Sequence, residues 1–113
     1  PLPKHLNTNK IINSINPNKD ADGIHPNNLQ QLTTKHNPQL LPATTGAIIE
    51  TIHYTKISLK NKSIAIIGKS KIVGLPTYNY FKNKCLSLNI YDSQTQNLAQ
   101  QTSRADILIV AIG

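Results

Sequence analysis

A glycine-containing turn at residues 68–74 is the stretch of this chain best suited to binding a phosphate group. It reads GKSKIVG and directly follows the apolar run at residues 64–67. A buried strand, a glycine turn and a helix start place backbone N–H groups and the positive end of a helix at a phosphate. Gly68, Lys69 and Ser70 are therefore candidate cofactor-binding residues, because they supply a sharp turn, a cation and a hydroxyl. A purely structural turn with two solvated lysines is the alternative.

A second group of candidates follows the apolar run at residues 86–91. Asp92, Ser93 and Thr95 lie there, roughly 20 residues beyond the glycine turn, where a dinucleotide-binding fold meets the adenosine ribose. A carboxylate such as that of Asp92 favours the 2′-hydroxyl of NAD, whereas Ser93 and Lys69 favour the 2′-phosphate of NADP. These residues by themselves leave the choice between NAD and NADP open.

Two carboxylates stand close together in the polar segment KDADGIHP at residues 19–26. Asp20 and Asp22 would suit a metal ion, but no further Asp or Glu lies nearby in the sequence, so we predict no metal site. A turn held by aspartate side chains explains the pattern better. His25, next to Pro26, is interpreted as a packed loop residue rather than a catalyst.

Hydrophobic spacing and turn residues predict the elements that position these groups. Residues 1–6 are expected to be extended. Helices are predicted at residues 8–15, 28–33, 77–83 and 98–103. A further helix is predicted from Thr44 or Thr45 to residue 55, with a threonine N-cap. The apolar runs at residues 64–67, 86–91 and 107–112 predict three strands. From residue 63 onward the order is β-α-β-α-β, and right-handed crossovers place the first strand between the other two in a parallel sheet.

The composition restricts the class of protein. With 12 Lys and Arg against 5 Asp and Glu, the formal net charge is +7, which would suit nucleic acid or phosphorylated small molecules. The lysines are scattered and aromatic residues are few, so a coding bias towards Lys, Asn and Ile is preferred over nucleic-acid binding as the explanation. Cys85 is the single cysteine, and no apolar run resembles a membrane span or a signal peptide. We therefore expect a cytoplasmic protein with no disulfide and no membrane partner.

Six short motifs occur in an order that resembles one enzyme family. They are PLP at residues 1–3, KDADGIHPNN at 19–28, PAT at 42–44, GKSKIVGLP at 68–76, SQT at 93–95 and ADI at 105–107. Together they resemble the bifunctional methylenetetrahydrofolate dehydrogenase/methenyltetrahydrofolate cyclohydrolase family of folate metabolism. The resemblance covers essentially the whole chain, and six ordered motifs are far more specific than any one of them.

This resemblance implies an NADP-dependent enzyme of one-carbon metabolism, with NAD as the alternative cofactor. The family oxidises 5,10-methylenetetrahydrofolate to 5,10-methenyltetrahydrofolate by hydride transfer to NADP, and then hydrolyses the product to 10-formyltetrahydrofolate. The implied cofactor-binding residues are Gly68, Lys69, Ser70, Ser93 and Thr95, and the implied substrate-binding residues are Pro1, Leu2, Pro3 and Asp22. Asp22 would accept hydrogen bonds from the pterin ring. The implied partners are tetrahydrofolate derivatives and, in the complete enzyme, a second copy in a homodimer.

The resemblance also implies a domain division. Residues 1–41 would be the C-terminal part of the folate-binding catalytic domain with a connector, and residues 42–113 a linking helix and the first half of the NAD(P)-binding Rossmann domain. The expected fold class is therefore α/β, a Rossmann-like half of a parallel sheet preceded by the end of a second α/β catalytic domain.

Several features depart from the family pattern. The usual Arg of the glycine turn is Lys69, which keeps the charge without the bidentate fork, and the usual His before Ser93 is Asp92. The family's catalytic lysine would lie before Pro1. We therefore interpret the chain as an internal fragment without a catalytic residue of its own, inactive when alone. A non-catalytic truncated remnant that at most binds a dinucleotide is the alternative function.

Overall fold

Three parallel strands form the centre of the C-terminal part of the molecule. The structure is a computed structural model that describes residues 2–34, 38 and 40–112. Strand β1 spans Ser63–Ile67, β2 spans Ser87–Tyr91 and β3 spans Ile107–Val110, in the spatial order β2-β1-β3. Both pairs of neighbours are parallel, which confirms the predicted pairing and the central position of the first strand.

Strand β1 is buried on both faces, whereas its neighbours are not. Ile64, Ala65 and Ile66 are at most 2% exposed, as expected for a short run of apolar, largely β-branched residues in the middle of a parallel sheet. On β3, by contrast, Leu108 and Val110 are 50% and 57% exposed. The third strand is therefore apolar throughout although one of its faces is exposed in this chain.

Five α-helices lie within the described residues. Helix α1 spans Thr8–Ser14, α2 Pro26–Thr34, α3 Ala43–Tyr54, α4 Gly74–Phe81 and α5 Leu98–Thr102, with 3-10 turns at Pro17–Lys19 and Leu59–Asn61. Each predicted helix is present, with ends that differ by a few residues. None of the helices described is long and apolar enough to cross a membrane.

The beginning of the chain and the start of α3 differ from prediction. Residues 4–6 form a turn rather than an extended segment, because the Leu6 N–H donates to the Pro3 carbonyl at 3.0 Å. The predicted threonine N-cap of α3 is wrong. The N-cap is Pro42, which has no side-chain capping bond, and Thr45 lies inside the first turn.

Helices α3 and α4 meet through a buried pair of hydroxyl groups. The Oγ1 atoms of Thr45 and Thr77 are 3.2 Å apart, and both residues are fully buried. Helix α4 begins at Gly74 rather than at the predicted Thr77. Pro76 is tolerated there because the N–H groups of a first turn have no partner inside the helix.

The hydrophobic core lies between the sheet and these two helices. Its buried members are Ile49, Ile52, Ile64, Ile66, Phe81 and Ile109. Ile49 and Ile52 are three positions apart, so they lie on one face of α3. Phe81 is the largest fully buried side chain and ties α4 to the sheet. The core therefore fixes α4 relative to β1, and with it the glycine turn between them.

Candidate functional site

The turn between β1 and α4 is tight because two glycines bring backbone atoms into contact. Gly68 has a φ of +110°, and its N–H donates to the Tyr91 carbonyl at 2.8 Å. A Cβ on Gly68 would overlap the carbonyl oxygen of Ala111, and a Cβ on Gly74 would overlap the carbonyl oxygen of Gly68. The turn therefore packs against the carboxyl ends of both neighbouring strands.

Ser70 closes the start of α4. Its Oγ accepts hydrogen bonds from the N–H groups of Val73 at 3.2 Å and Gly74 at 3.3 Å, and its carbonyl accepts the Leu75 N–H at 2.9 Å. The hydroxyl thus satisfies backbone donors that the helix itself leaves free. A role of Ser70 in phosphate binding stays a prediction, beside this capping role.

Lys69 crosses from the glycine turn to the end of the next strand. Its Nζ lies 2.8 Å from Oδ2 of Asp92, and the two side chains are 45% and 35% exposed. The hydrogen bond from Lys69, together with the Gln94 N–H, lowers the pKa of Asp92 below its ordinary value. The structure therefore brings together two residues that sequence reasoning had assigned to competing cofactors.

Thr95 holds the turn that carries Asp92. The Thr95 hydroxyl accepts the Asp92 N–H at 3.0 Å and lies 3.3 Å from Asp92 Oδ1. The Gln94 N–H donates to the same carboxylate oxygen at 3.0 Å. Ser93, between them, is exposed. Contact of Ser93 and Thr95 with a cofactor stays a prediction.

The chemistry of these side chains leaves both kinds of dinucleotide as candidate ligands. In open α/β sheets, ligands bind outside the carboxyl ends of the strands, and Lys69, Asp92 and Ser93 all follow β1 or β2 there. An ammonium and an exposed hydroxyl suit a phosphate, while a carboxylate suits a ribose hydroxyl. Binding of a dinucleotide by these side chains stays a prediction, and Asp92 is the one group among them that would oppose a 2′-phosphate.

A buried carboxylate holds the loop at residues 20–28. Asp20 is 5% exposed. One of its oxygens accepts the His25 N–H and the Asn28 side-chain amide, both at 2.8 Å, and the other accepts the Ile24 N–H at 3.2 Å. Burial raises the pKa of Asp20, but these hydrogen bonds outweigh it and leave the pKa below its ordinary value. Asp20 is therefore a structural residue of this loop.

Those predicted substrate-binding residues that the structure describes lie at the surface. Asp22, Leu2 and Pro3 are exposed, and Pro1 lies outside the described residues. His25 is buried, and its Nδ1 accepts the Asn27 N–H at 3.1 Å at the start of α2, which agrees with its interpretation as a packed loop residue. Contact of Pro1, Leu2, Pro3 and Asp22 with a substrate stays a prediction.

Sequence reasoning missed a polar junction at the opposite end of the sheet. Asp106 accepts the Ser63 N–H at 2.8 Å, the Ser63 hydroxyl at 2.7 Å and the Lys62 ammonium at 3.0 Å. These bonds hold the pKa of Asp106 well below its ordinary value, and the bond from the Ser63 N–H contributes most. The predicted strand order could have indicated this contact, because it places the starts of β1 and β3 next to each other.

Other surface features do not coincide with the predicted site residues. A cleft of about 530 Å³ lies between α1, α2 and α4, and its walls include Ile12, Leu29 and Ile72 but none of the predicted residues. In the part of the chain that the structure describes, no three His, Cys, Asp or Glu side chains are grouped so that they could hold a metal ion. The candidate cofactor residues lie on an open edge instead.

Sequence comparisons identify relatives over the full chain. Residues 42–113 match the family model described as tetrahydrofolate dehydrogenase/cyclohydrolase, NAD(P)-binding domain. The bifunctional protein FolD of Streptococcus pneumoniae is 41% identical over 113 residues, which cover 100% of this chain and 39% of that protein. FolD of Chlamydia caviae is 40% identical over 117 residues, covering 100% of this chain and 41% of that protein. The chain thus spans about two fifths of the length of these curated relatives.

Solved structures show the same fold. The FolD of Trypanosoma brucei, solved with NADP cofactor and an inhibitor, superposes with a TM-score of 0.93 at 29% identity, over 100% of this chain and 39% of that chain. The Campylobacter jejuni enzyme gives 0.92 at 34% identity, over 100% and 40%. The predicted α/β class and nicotinamide dinucleotide cofactor are confirmed at this level. A parallel half-sheet with a tight glycine turn, and matches to FolD along its whole length, together show that this chain belongs to the tetrahydrofolate dehydrogenase/cyclohydrolase family.

Proposed function

We propose that this chain is part of an NADP-dependent methylenetetrahydrofolate dehydrogenase/cyclohydrolase. The protein would oxidise 5,10-methylenetetrahydrofolate to 5,10-methenyltetrahydrofolate and hydrolyse that product to 10-formyltetrahydrofolate. The observation that carries this proposal is the match of residues 42–113 to the family's NAD(P)-binding domain. The glycine turn supports it, because Lys69 extends from that turn to the end of β2.

In this proposal the carboxyl edge of the sheet binds the cofactor. Gly68 and Ser70 shape the turn, Lys69 supplies positive charge for a phosphate, and Ser93 supplies an exposed hydroxyl. Thr95 keeps the second turn in place through its bonds to Asp92. NADP, when bound, accepts the hydride, and the protein contributes binding and orientation.

The loop at residues 20–28 would bind the folate. Asp20 holds this loop from inside, and Asp22 presents a carboxylate at its surface. That carboxylate would accept N–H groups of the pterin, beside Pro1, Leu2 and Pro3. Removing it would leave those donors without a partner, at a cost of about 1–3 kcal/mol, or roughly fivefold to more than a hundredfold in folate affinity.

A chimera tests the proposed activity. The matching 113 residues of Streptococcus pneumoniae FolD would be replaced by this chain, so that the rest of the enzyme comes from that relative. We expect NADP reduction that depends on methylenetetrahydrofolate, followed by formation of 10-formyltetrahydrofolate, both measured by absorbance. In the same chimera, Asp22→Ala should raise the KM for methylenetetrahydrofolate at least about fivefold and leave the KM for NADP nearly unchanged.

The same chimera separates the proposal from its alternative. A chimera that binds NADP but neither oxidises nor hydrolyses the folate would favour a truncated remnant that only binds a dinucleotide. If the folate affinity is the same with and without the Asp22 carboxylate, Asp22 does not bind the folate and is only a residue of the turn. A folded chimera that binds no dinucleotide would contradict both readings of the chain.

A further inference from the structure

An ion pair joins the turn after β1 to the turn after β2. In dinucleotide-binding folds, these two turns lie next to the adenosine ribose of the cofactor. Lys69 follows β1, Asp92 follows β2, and Nζ and Oδ2 are 2.8 Å apart. β1 and β2 are neighbours in the sheet, so both turns lie on one edge. The residue that would attract a 2′-phosphate is therefore already paired with an anion from its own chain.

We propose that Asp92 is a specificity-determining residue that competes with the 2′-phosphate of NADP for Lys69 and so narrows the preference for NADP over NAD. The proposal rests on the proposed function, because it concerns how that same site distinguishes its two cofactors. It assigns to Asp92 a role opposite to that of Lys69 and Ser93.

The two cofactors make different demands on the ion pair. A 2′-phosphate that binds the Lys69 ammonium either shares it with the Asp92 carboxylate, so that two anions lie close together, or displaces that carboxylate. The 2′-hydroxyl of NAD can instead donate to a carboxylate while Lys69 keeps its partner. The Asp92 carboxylate is therefore expected to lower the affinity for NADP without lowering the affinity for NAD.

The Asp92 side chain is also restrained in its present direction. Its Oδ1 accepts the Gln94 N–H at 3.0 Å and lies 3.3 Å from the Thr95 hydroxyl, while Oδ2 faces Lys69. A rotation away from Lys69 would disturb these local bonds. Because both charged side chains are more than a third exposed, solvent weakens their interaction, and the effect on affinity is expected to be moderate.

The test is Asp92→Asn in the FolD chimera described above, with NADP and NAD binding measured by calorimetry at one ionic strength. Asparagine keeps the shape and can still accept bonds from the Gln94 N–H, but it carries no charge. We expect NADP affinity to rise about three- to tenfold and NAD affinity to stay equal or fall. Asp92→Ser provides a second neutral variant if the first does not fold.

Two further variants show whether the effect depends on the pair. Glu50→Gln changes net charge equally on an exposed position of α3, and it should leave the ratio of the two affinities unchanged. Lys69→Gln should lower NADP affinity, and adding Asp92→Asn to it should restore less than the gain seen with Lys69 present, because no ammonium is released.

The outcomes distinguish the two proposals. If the chimera binds both dinucleotides and neutral variants of Asp92 leave their affinity ratio unchanged, the role of Asp92 is rejected while the proposed function stands. An equal shift in Glu50→Gln would likewise reject it, as a general effect of charge. If the folded chimera and its Glu50→Gln variant bind neither dinucleotide, the proposed function fails, and the role of Asp92 fails with it.

Discussion

Two aspartates of the same loop differ in what surrounds them. Asp20 is buried and accepts three hydrogen bonds, whereas Asp22, two positions later, is exposed. The first stabilises the loop, and the second is available to a ligand. Burial, rather than residue type, separates a structural carboxylate from a candidate binding carboxylate here.

Replacing the buried aspartate should therefore destabilise the chain. Asp20→Asn removes the charge and turns an amide towards backbone donors, so we expect the free energy of unfolding to fall by about 1–3 kcal/mol. Asp22→Asn is the matched control and should change it by less than about 0.5 kcal/mol. Urea unfolding followed by circular dichroism measures both. Equal effects of the two substitutions would show that the bonds of Asp20 do not stabilise the fold.

At the scale of elements, helices α3 and α4 hold the glycine turn against the sheet. Their contact includes the hydroxyl pair of Thr45 and Thr77, which are fully buried and 32 positions apart. The turn itself depends on Gly74, where the backbone of Gly68 leaves no room for a side chain. The geometry of the candidate cofactor edge is thus set by contacts between elements.

The hydroxyl pair can be tested with a double-mutant cycle. Thr45→Val or Thr77→Val alone leaves the other hydroxyl buried without a partner, which should cost about 1–3 kcal/mol of unfolding free energy. The double variant should cost less than the sum, because no hydroxyl is then left unpaired. Strictly additive losses in denaturant unfolding would show that the two hydroxyls do not interact.

Two glycines that begin or lie within helices should respond in opposite directions to alanine. Gly74→Ala places a methyl group against the Gly68 carbonyl, so overpacking should lower the unfolding free energy by about 1–3 kcal/mol. Gly46→Ala, inside α3, meets only the Leu41 Cβ at 3.8 Å and should raise it by about 0.5–1 kcal/mol. Thermal unfolding compares the two. If Gly74→Ala left the free energy of unfolding unchanged, the turn could widen to accept the methyl group without destabilising the fold.

At the scale of the whole molecule, few acidic groups balance many basic ones. The chain has 5 Asp and Glu and a formal net charge of +7. Asp20, Asp92 and Asp106 all accept hydrogen bonds in the folded chain, and each has a lowered pKa. Protonating them weakens these bonds and increases the net positive charge, so we expect the fold to lose stability in acid.

The lowered pKa values give the direction of the pH dependence. The unfolded chain takes up protons near the ordinary aspartate pKa, and the folded chain only at lower pH. The contribution of these groups is therefore complete well above pH 4, and it is lost as the pH falls from about 5 towards their folded pKa values. Urea unfolding at pH 7, 5 and 3 should show this decline. Asp106→Asn should reduce the loss between pH 5 and 3, and an unchanged loss would exclude Asp106 as a contributor.

The sequence by itself determined the strand order, the parallel pairing, the glycine turn and the family. These features follow from local patterns: apolar runs define the strands, and Gly68 allows the sharp turn. The crossover rule then orders the strands without knowledge of any side-chain contact. Helix ends were less predictable. The predicted threonine start of α3 was Thr44 or Thr45, but the helix begins at Ala43, and Thr45 is buried against Thr77.

Only the tertiary structure decided which polar side chains meet. Lys69 and Asp92 are 23 positions apart, and Ser63 and Asp106 are 43 apart. Their distances depend on how strands and turns pack, which residue types do not encode locally. The same holds for Asp20, whose burial depends on the packing around its loop. The family pattern indicated a dinucleotide site, and folding decided that the cation of this site would be paired with the chain's own carboxylate.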